Sequence, residues 1–129
     1  MPTCVAVVLC NDVIEDKRTN NKTLVGLFNA IVTFEQPASF ARMVIMASLT
    51  NGVGVWPISF SIRSPSGKEL FHARGQETFS SVDEVKDLVM EILGFALPEI
   101  GTYNIDIKVG DAVKGERRFT VHCVDQEQK

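Results

Sequence analysis

Three carboxylates lying close together, Asp12, Glu15 and Asp16, come nearest in this chain to a binding site by type and spacing. They sit in CNDVIEDKRTNNKTLVGLF, residues 10–28, and their oxygens could hold calcium at the tip of a β-sandwich. Calcium loops, however, alternate their ligands closely and turn on a glycine. Here Lys17, Arg18 and Lys22 lie beside the acids and would neutralise the site. The stretch reads better as a hairpin whose two-residue turn is Asn20-Asn21, because asparagine tolerates the left-handed region. That turn would pair Thr19 with Lys22 and Lys17 with Leu24. The charges then form a solvated edge that discourages sheet-to-sheet aggregation. Asp12, Glu15 and Asp16 remain the candidate loop site, and no metal or other cofactor is expected.

Other chemistry is sparse. A nucleophilic Ser or Cys needs a base within reach. The two histidines, His72 and His122, both fall on predicted strands, and no G-x-S-x-G elbow or glycine-rich phosphate loop occurs. His72 alternates with Leu70 and reads as a partly buried structural histidine. Cys4, Cys10 and Cys123 make an odd count without the paired spacing of a zinc site. Cys4 and Cys10 lie on one predicted strand, roughly 20 Å apart, too far to bridge. His122 and Cys123 are adjacent and would point to opposite faces. The cysteines are expected to be small hydrophobes in a reducing cytosol. No catalytic residue is expected, and the chain does not read as an enzyme.

With 129 residues, 45% hydrophobic and 22% charged, the composition is that of an ordinary globular domain. A formal net charge of −3, with no basic run denser than Lys17-Arg18 or Arg117-Arg118, excludes a phosphate backbone as partner. The apolar run from Cys4 to Cys10 is too short to span a membrane and is preceded by no basic segment. The expected location is the cytoplasm.

The elements that must carry these residues are strands. Ile58, Phe60 and Ile62 alternate with Ser59, Ser61 and Arg63. A Pro65-Ser66-Gly67 turn then leads to a partner strand from Lys68 to Ala73. Tyr103, Ile105, Ile107 and Val109 set one face inward. Gly110-Asp111 opens a turn that Gly115 closes, and Phe119, Val121 and Cys123 face inward on the last strand. Thr3–Leu9 and Thr23–Phe34 are apolar enough for strands covered on both faces, with a bulge or close approach at Gly26. Arg42–Thr50 places Met43, Ile45, Ala47 and Leu49 on one side, and Asn51-Gly52 marks a turn reinforced by Gly54. Trp56 shares the parity of Ile58 and should face inward.

One segment, SVDEVKDLVMEILGF, fits a helix by spacing, with Ser81 able to cap against Glu84. The residues C-terminal to it decide against a helix. LPEIGTY, residues 97–103, has the form of a tyrosine corner, in which a tyrosine hydroxyl bonds back to the connection preceding its strand. Such a corner needs a strand before it, so Lys86–Leu93 reads as a strand, with a helical turn available at Val82–Asp87. Turn signals every ten or so residues predict about eight or nine strands in an antiparallel β-sandwich, all-β and immunoglobulin-like. Residues 1–124 form the domain and 125–129 a polar, frayed tail. Its core is expected to include Val7, Leu24, Phe28, Ile45, Trp56, Phe60, Leu88, Tyr103, Ile105, Phe119 and Val121.

The opening VVLCNDVIEDKRTNNKTLVGLFNAI, the SPSG hairpin and LPEIGTYNIDIKVGD together resemble a family of small bacterial proteins of unknown function. Its members begin with an apolar strand ending in Cys-Asp and continue through a polar hairpin into a Leu-Val-Gly-Leu-Phe type strand. They end on a Gly-x-Tyr strand and a short hairpin. Asn11 stands here where the family tends to carry an acid. The resemblance implies a bacterial source and an immunoglobulin-like sandwich, and it brings no activity. The expected function is a non-enzymatic cytoplasmic binding or assembly module. It would act on protein through a sheet surface or loops, with homo-oligomerisation through a sheet edge or face as one form of this. The alternative is a small-molecule or cation-binding sandwich using the loops Asp12–Asp16 and Asn51–Val55.

Overall fold

Side chains that alternate with a period of two can bury one face only by packing it against a second sheet. The computed structural model describes residues 1–33 and 38–124. Its strands are β1 (Thr3–Glu15), β2 (Lys22–Leu27), β3 (Ala30–Thr33), β4 (Ala38–Thr50), β5 (Gly54–Arg63), β6 (Glu69–Phe79), β7 (Lys86–Leu97), β8 (Gly101–Val109) and β9 (Ala112–Cys123). One sheet has the order β2-β1-β4-β7 and the other β3-β9-β8-β5-β6. Neighbours run antiparallel, except that β3 lies parallel to β9. β1, β4 and β7 take the places of strands A, B and E of an immunoglobulin-type sandwich, and β5, β8 and β9 those of C, F and G. The fold is therefore an all-β, immunoglobulin-like sandwich. No helix among the described residues is long and apolar enough to cross a membrane.

Met43, Ile45, Ala47 and Leu49 of β4 face Ile58, Phe60 and Ile62 of β5 and Tyr103, Ile105, Ile107 and Val109 of β8 across one core. Phe119 and Val121 of β9, Leu9 of β1, Ile31 of β3, Phe79 of β6 and Ile92, Phe95 and Leu97 of β7 complete it. Val7, Phe28, Trp56 and Leu88 are partly buried against this cluster. Leu24 is not, since β2 is an edge strand and leaves it half-buried outside the core.

The tyrosine corner is present. Tyr103 Oη donates to the Glu99 carbonyl at 2.7 Å and accepts from the Glu99 N–H at 3.0 Å. Its ring is fully buried and stacks on Phe119, with centroids 5.1 Å apart. Gly101, two residues earlier, has φ +131°, as the turn into β8 requires. The segment before the corner is the strand β7, pairing Leu88 with Ala47, Met90 with Ile45 and Ile92 with Met43. The preceding turn is held from both sides: the Glu84 carboxylate accepts from the Ser80 N–H, and the Ser81 carbonyl accepts from the Glu84 N–H at 3.2 Å.

Several expectations are corrected. The hairpin between β1 and β2 exists, but Leu24 lies beside Val13 and Lys22 beside Glu15. This register sets Leu24 against an apolar neighbour instead of Lys17, and leaves a longer loop. Asp16 N–H to the Asn21 carbonyl closes it at 2.8 Å, and Asn20 carries φ 61°. Thr23–Phe34 is not one doubly covered strand. Phe28 N–H bonds the Leu9 carbonyl in one sheet, and the Asn29 carbonyl accepts from Thr120 N–H in the other, so the chain changes sheets there. Its two halves are both sheet edges, which exposes Val25, Leu27 and Val32. Phe34 and the tail 125–129 lie outside the described residues. Gly26 makes a close approach: a Cβ there would collide with Asn11 Oδ1. Gly115 does not close the β8–β9 turn but lies inside β9, beside Ile107. Cys123 is exposed at the strand end, not inward.

Candidate functional site

Strand geometry separates the three carboxylates. Asp12 and Glu15 stand an odd number of residues apart on β1 and so point to opposite faces. Asp12 Oδ1 accepts from the Val13 N–H and from Arg42 Nη2, both at 2.8 Å. Glu15 lies 3.9 Å from Lys22 Nζ, and Asp16 accepts the Arg18 N–H at 2.8 Å. Each carboxylate thus has its own local partner. Among the described residues, no group of three or more His, Cys, Asp or Glu is placed to hold a metal ion. The second loop of the alternative reading, Asn51–Val55, stands at the other end of the sandwich, because Thr50 pairs with Thr3 at the start of β1.

His72 is exposed rather than partly buried. Its Nδ1 lies 3.1 Å from Ser61 Oγ and 3.2 Å from Glu69 Oε1. Ser, His and Glu meet here, but both contacts use the same ring nitrogen. A catalytic triad needs the acid on one nitrogen and the hydroxyl on the other. Ser61 is also buried. His122 bonds Thr120 on the exposed end of β9. Cys4 and Cys10 are held in their thiol forms by burial, which pushes both pKa values up.

Two features were not found from sequence. The first is the outer face of the four-stranded sheet. Val8 and Cys10 of β1, Val44 and Met46 of β4, Val25 and Leu27 of β2, and Val89 and Leu93 of β7 all point away from the core. Cys10 and Val44 have 0% and 1% exposure yet do not belong to the core cluster, since neighbouring side chains on this face cover them. Leu27 and Leu93 at its two margins are 61% and 66% exposed. Two polar groups share this face: Arg42, paired with both Asp12 and Glu91, and Ser48, which donates to Asp87. The outer face of the five-stranded sheet is polar by contrast. There Asp106 is buried between Arg63 Nε at 3.4 Å and Asn104 Nδ2 at 2.6 Å.

The second feature is the side of the sandwich between β6 and β7, the edge strands of opposite sheets. The opposite side is sealed by β1 packing on β9, by the crossing at Phe28–Asn29 and by Arg117 Nη1 donating to the Val7 carbonyl at 3.2 Å. β6 and β7 are not paired. Between them open two hollows: one of about 300 Å³ at Ala73–Glu77 and Asp87–Met90, and one of about 370 Å³ at Leu70–Phe71 and Glu91–Ala96.

Fold and surface define an immunoglobulin-like β-sandwich with one apolar outer face and one open side. Over residues 5–122 the chain matches the family described as "Family of unknown function (DUF6941)", and it belongs to that family. No curated protein matches it. An immunoglobulin-like protein from Pseudomonas aeruginosa, known from a crystal structure, is similar with a TM-score of 0.41 at 11% identity, over 95% of this chain and 97% of that one. The C-terminal domain of Wzt is similar with a TM-score of 0.48 at 11% identity, over 95% of this chain and 74% of that one.

Proposed function

We propose that the protein is a non-enzymatic binding or assembly module that engages protein through the outer face of its four-stranded sheet. The observation carrying this is the row Leu27, Cys10, Val44 and Met46, continued by Val89 and Leu93, on a face that the core does not use. Four strands spaced about 4.8 Å apart make a face of several hundred Å², a size at which apolar patches on monomers are commonly functional. The Arg42–Asp12–Glu91 group would set the orientation of the partner. A cytoplasmic location belongs to the same reading and is supported by the free state of Cys4, Cys10 and Cys123.

The test compares Leu27→Glu/Leu93→Lys with Lys108→Glu on the polar face. Analytical ultracentrifugation reads self-association, and cross-linking in the native host followed by mass spectrometry reads other partners. Association lost in the double variant and kept in the control supports the reading. A wild-type monomer whose cross-linked partners are unchanged in the double variant would sink it.

A further inference from the structure

The open side owes its hollows to small residues at inward positions. β6 pairs Phe71, Ala73, Gly75 and Glu77 with Ile62, Phe60, Ile58 and Trp56, so these four face the space between the sheets. The middle pair has almost no side chain, and a Cβ added at Gly75 would meet nothing within 4 Å. Opposite them stand Leu88 and Met90 of β7, only partly buried against the core. Gly94, also with open space at its Cβ, has φ +62° and shifts the inward parity from Ile92 to Phe95, which opens the second hollow. Glu77 lies at one end of the first hollow, half-buried, and its carboxylate makes no hydrogen bond or ion pair among the described residues. Both strands are long edges, 11 residues in β6 and 12 in β7, with one row of backbone groups unpaired.

We infer that this side accepts an extended segment of a partner protein, added as a strand along the free edge of β7 with its side chains directed at Ala73 and Gly75. Main-chain hydrogen bonds to β7 supply affinity and the two hollows supply specificity. The hollows lie roughly 13–20 Å apart along β7, which at about 3.3 Å per residue is four to six residues of a strand. Only an even spacing puts two anchors on the same face. The segment therefore carries apolar residues at i and i+4 or i+6. A Lys or Arg at i−2 lies over Glu77, whose carboxylate supplies the complementary charge. Every position invoked lies off the outer face except the β7 backbone itself, so the inference stands apart from the proposed function.

Fluorescein-labelled peptides of about ten residues, rich in threonine, are titrated by fluorescence anisotropy against the whole protein. One set carries Lys at i−2 with Leu at i and i+4 or i+6; the controls carry Leu at i and i+5. Both chain directions are made. The even-spaced peptides should bind, and N-methylation at alternate backbone positions should abolish binding, as a strand addition requires. Gly75→Val should weaken them by at least about tenfold while leaving the fold intact; Ala73→Leu serves if Gly75→Val melts early. Glu77→Lys should lose the Lys peptide and accept its Glu counterpart. Equal binding of odd- and even-spaced peptides, binding indifferent to both filling variants, or no peptide binding would overturn the inference. So would uptake of a fluorescent fatty acid, blocked by Gly75→Val, in a protein that ignores the peptides. Leu27→Glu should leave peptide binding unchanged.

Discussion

Replacing Tyr103 with phenylalanine removes one oxygen atom and nothing else from the corner between β7 and β8. That oxygen makes two hydrogen bonds, donating at 2.7 Å to the Glu99 carbonyl and accepting at 3.0 Å from the Glu99 N–H. The ring keeps its stacking on Phe119 and its place in the core, so no cavity forms. What is lost is the pairing of a half-buried peptide group whose other routes to a partner are restricted. Leaving such groups unsatisfied costs about 1–3 kcal/mol. For a domain of this size each kcal/mol moves the midpoint by about 3–5 °C, so Tyr103→Phe should melt about 3–15 °C below wild type. Thermal unfolding by circular dichroism, with urea unfolding to check that the m-value is unchanged, measures it. A variant that melts with the wild type would show that the hydroxyl contributes nothing and that the corner does not stabilise the fold.

The same residue gives a pH prediction. Burial pushes the Tyr103 hydroxyl pKa up. A raised folded pKa means that its contribution is whole below the unfolded pKa, near 10, and is lost as pH climbs through the folded value. Wild type should therefore lose stability above that pH more steeply than Tyr103→Phe, and because the chain has one tyrosine, tyrosinate absorbance follows the site alone. Gly101→Ala forces an L-residue to φ +131° with its Cβ 3.1 Å from Pro65, and calorimetry should show a loss of more than about 1 kcal/mol. Gly115→Ala puts a Cβ 2.6 Å from Cys4 Sγ and 2.9 Å from Val7 Cγ2 between the sheets, and should cost about 1–3 kcal/mol in the same assay. With a thiol reagent, Cys123 should react at once, the partly buried Cys4 slowly, and the buried Cys10 only on unfolding, given their exposure and the raised pKa values of the latter two.

The strands that show clean alternation were legible because one face meets the core and the other meets water. Ile58 to Ile62 and Tyr103 to Val109, which alternate with polar residues, are of this kind and lie inward as parity requires. Met43, Ile45, Ala47 and Leu49 also lie inward, although Val44 and Met46 between them make the other face of that strand apolar. LPEIGTY was legible because a tyrosine corner is a local motif that needs no distant partner. Thr23–Phe34 was not, since an apolar run does not say where the chain will leave one sheet for the other. That point is fixed by contacts at Leu9 and Thr120, remote in sequence. The hairpin register failed for a similar reason. Asn20 does take the left-handed conformation, but the apolar match of Leu24 with Val13 outweighs the shortest turn. Neither candidate surface was visible, because each is a juxtaposition of strands whose order the sequence leaves open.

Strand propensity is the competing explanation for the apolar outer face, since valine is favoured in strands whatever it faces. It accounts for Val8, Val25, Val44 and Val89 without any partner. It does not account for Leu27, Met46 and Leu93, which lack a branched β-carbon and belong to the same outward row. On the other sheet the equivalent outward positions of β8 hold Asn104, Asp106 and Lys108, so this fold tolerates polar residues there without losing its core. A protein gains nothing in stability from leucine left 61% or 66% exposed, and gains a hazard of aggregation. Arg42 with Asp12 and Glu91 places a cluster of charge beside Val44 and Leu93, as a specific contact needs and mere stickiness does not. The side chains that distinguish the two explanations are therefore Leu27, Met46 and Leu93: converting them to threonine keeps strand propensity and removes only what a partner would bury.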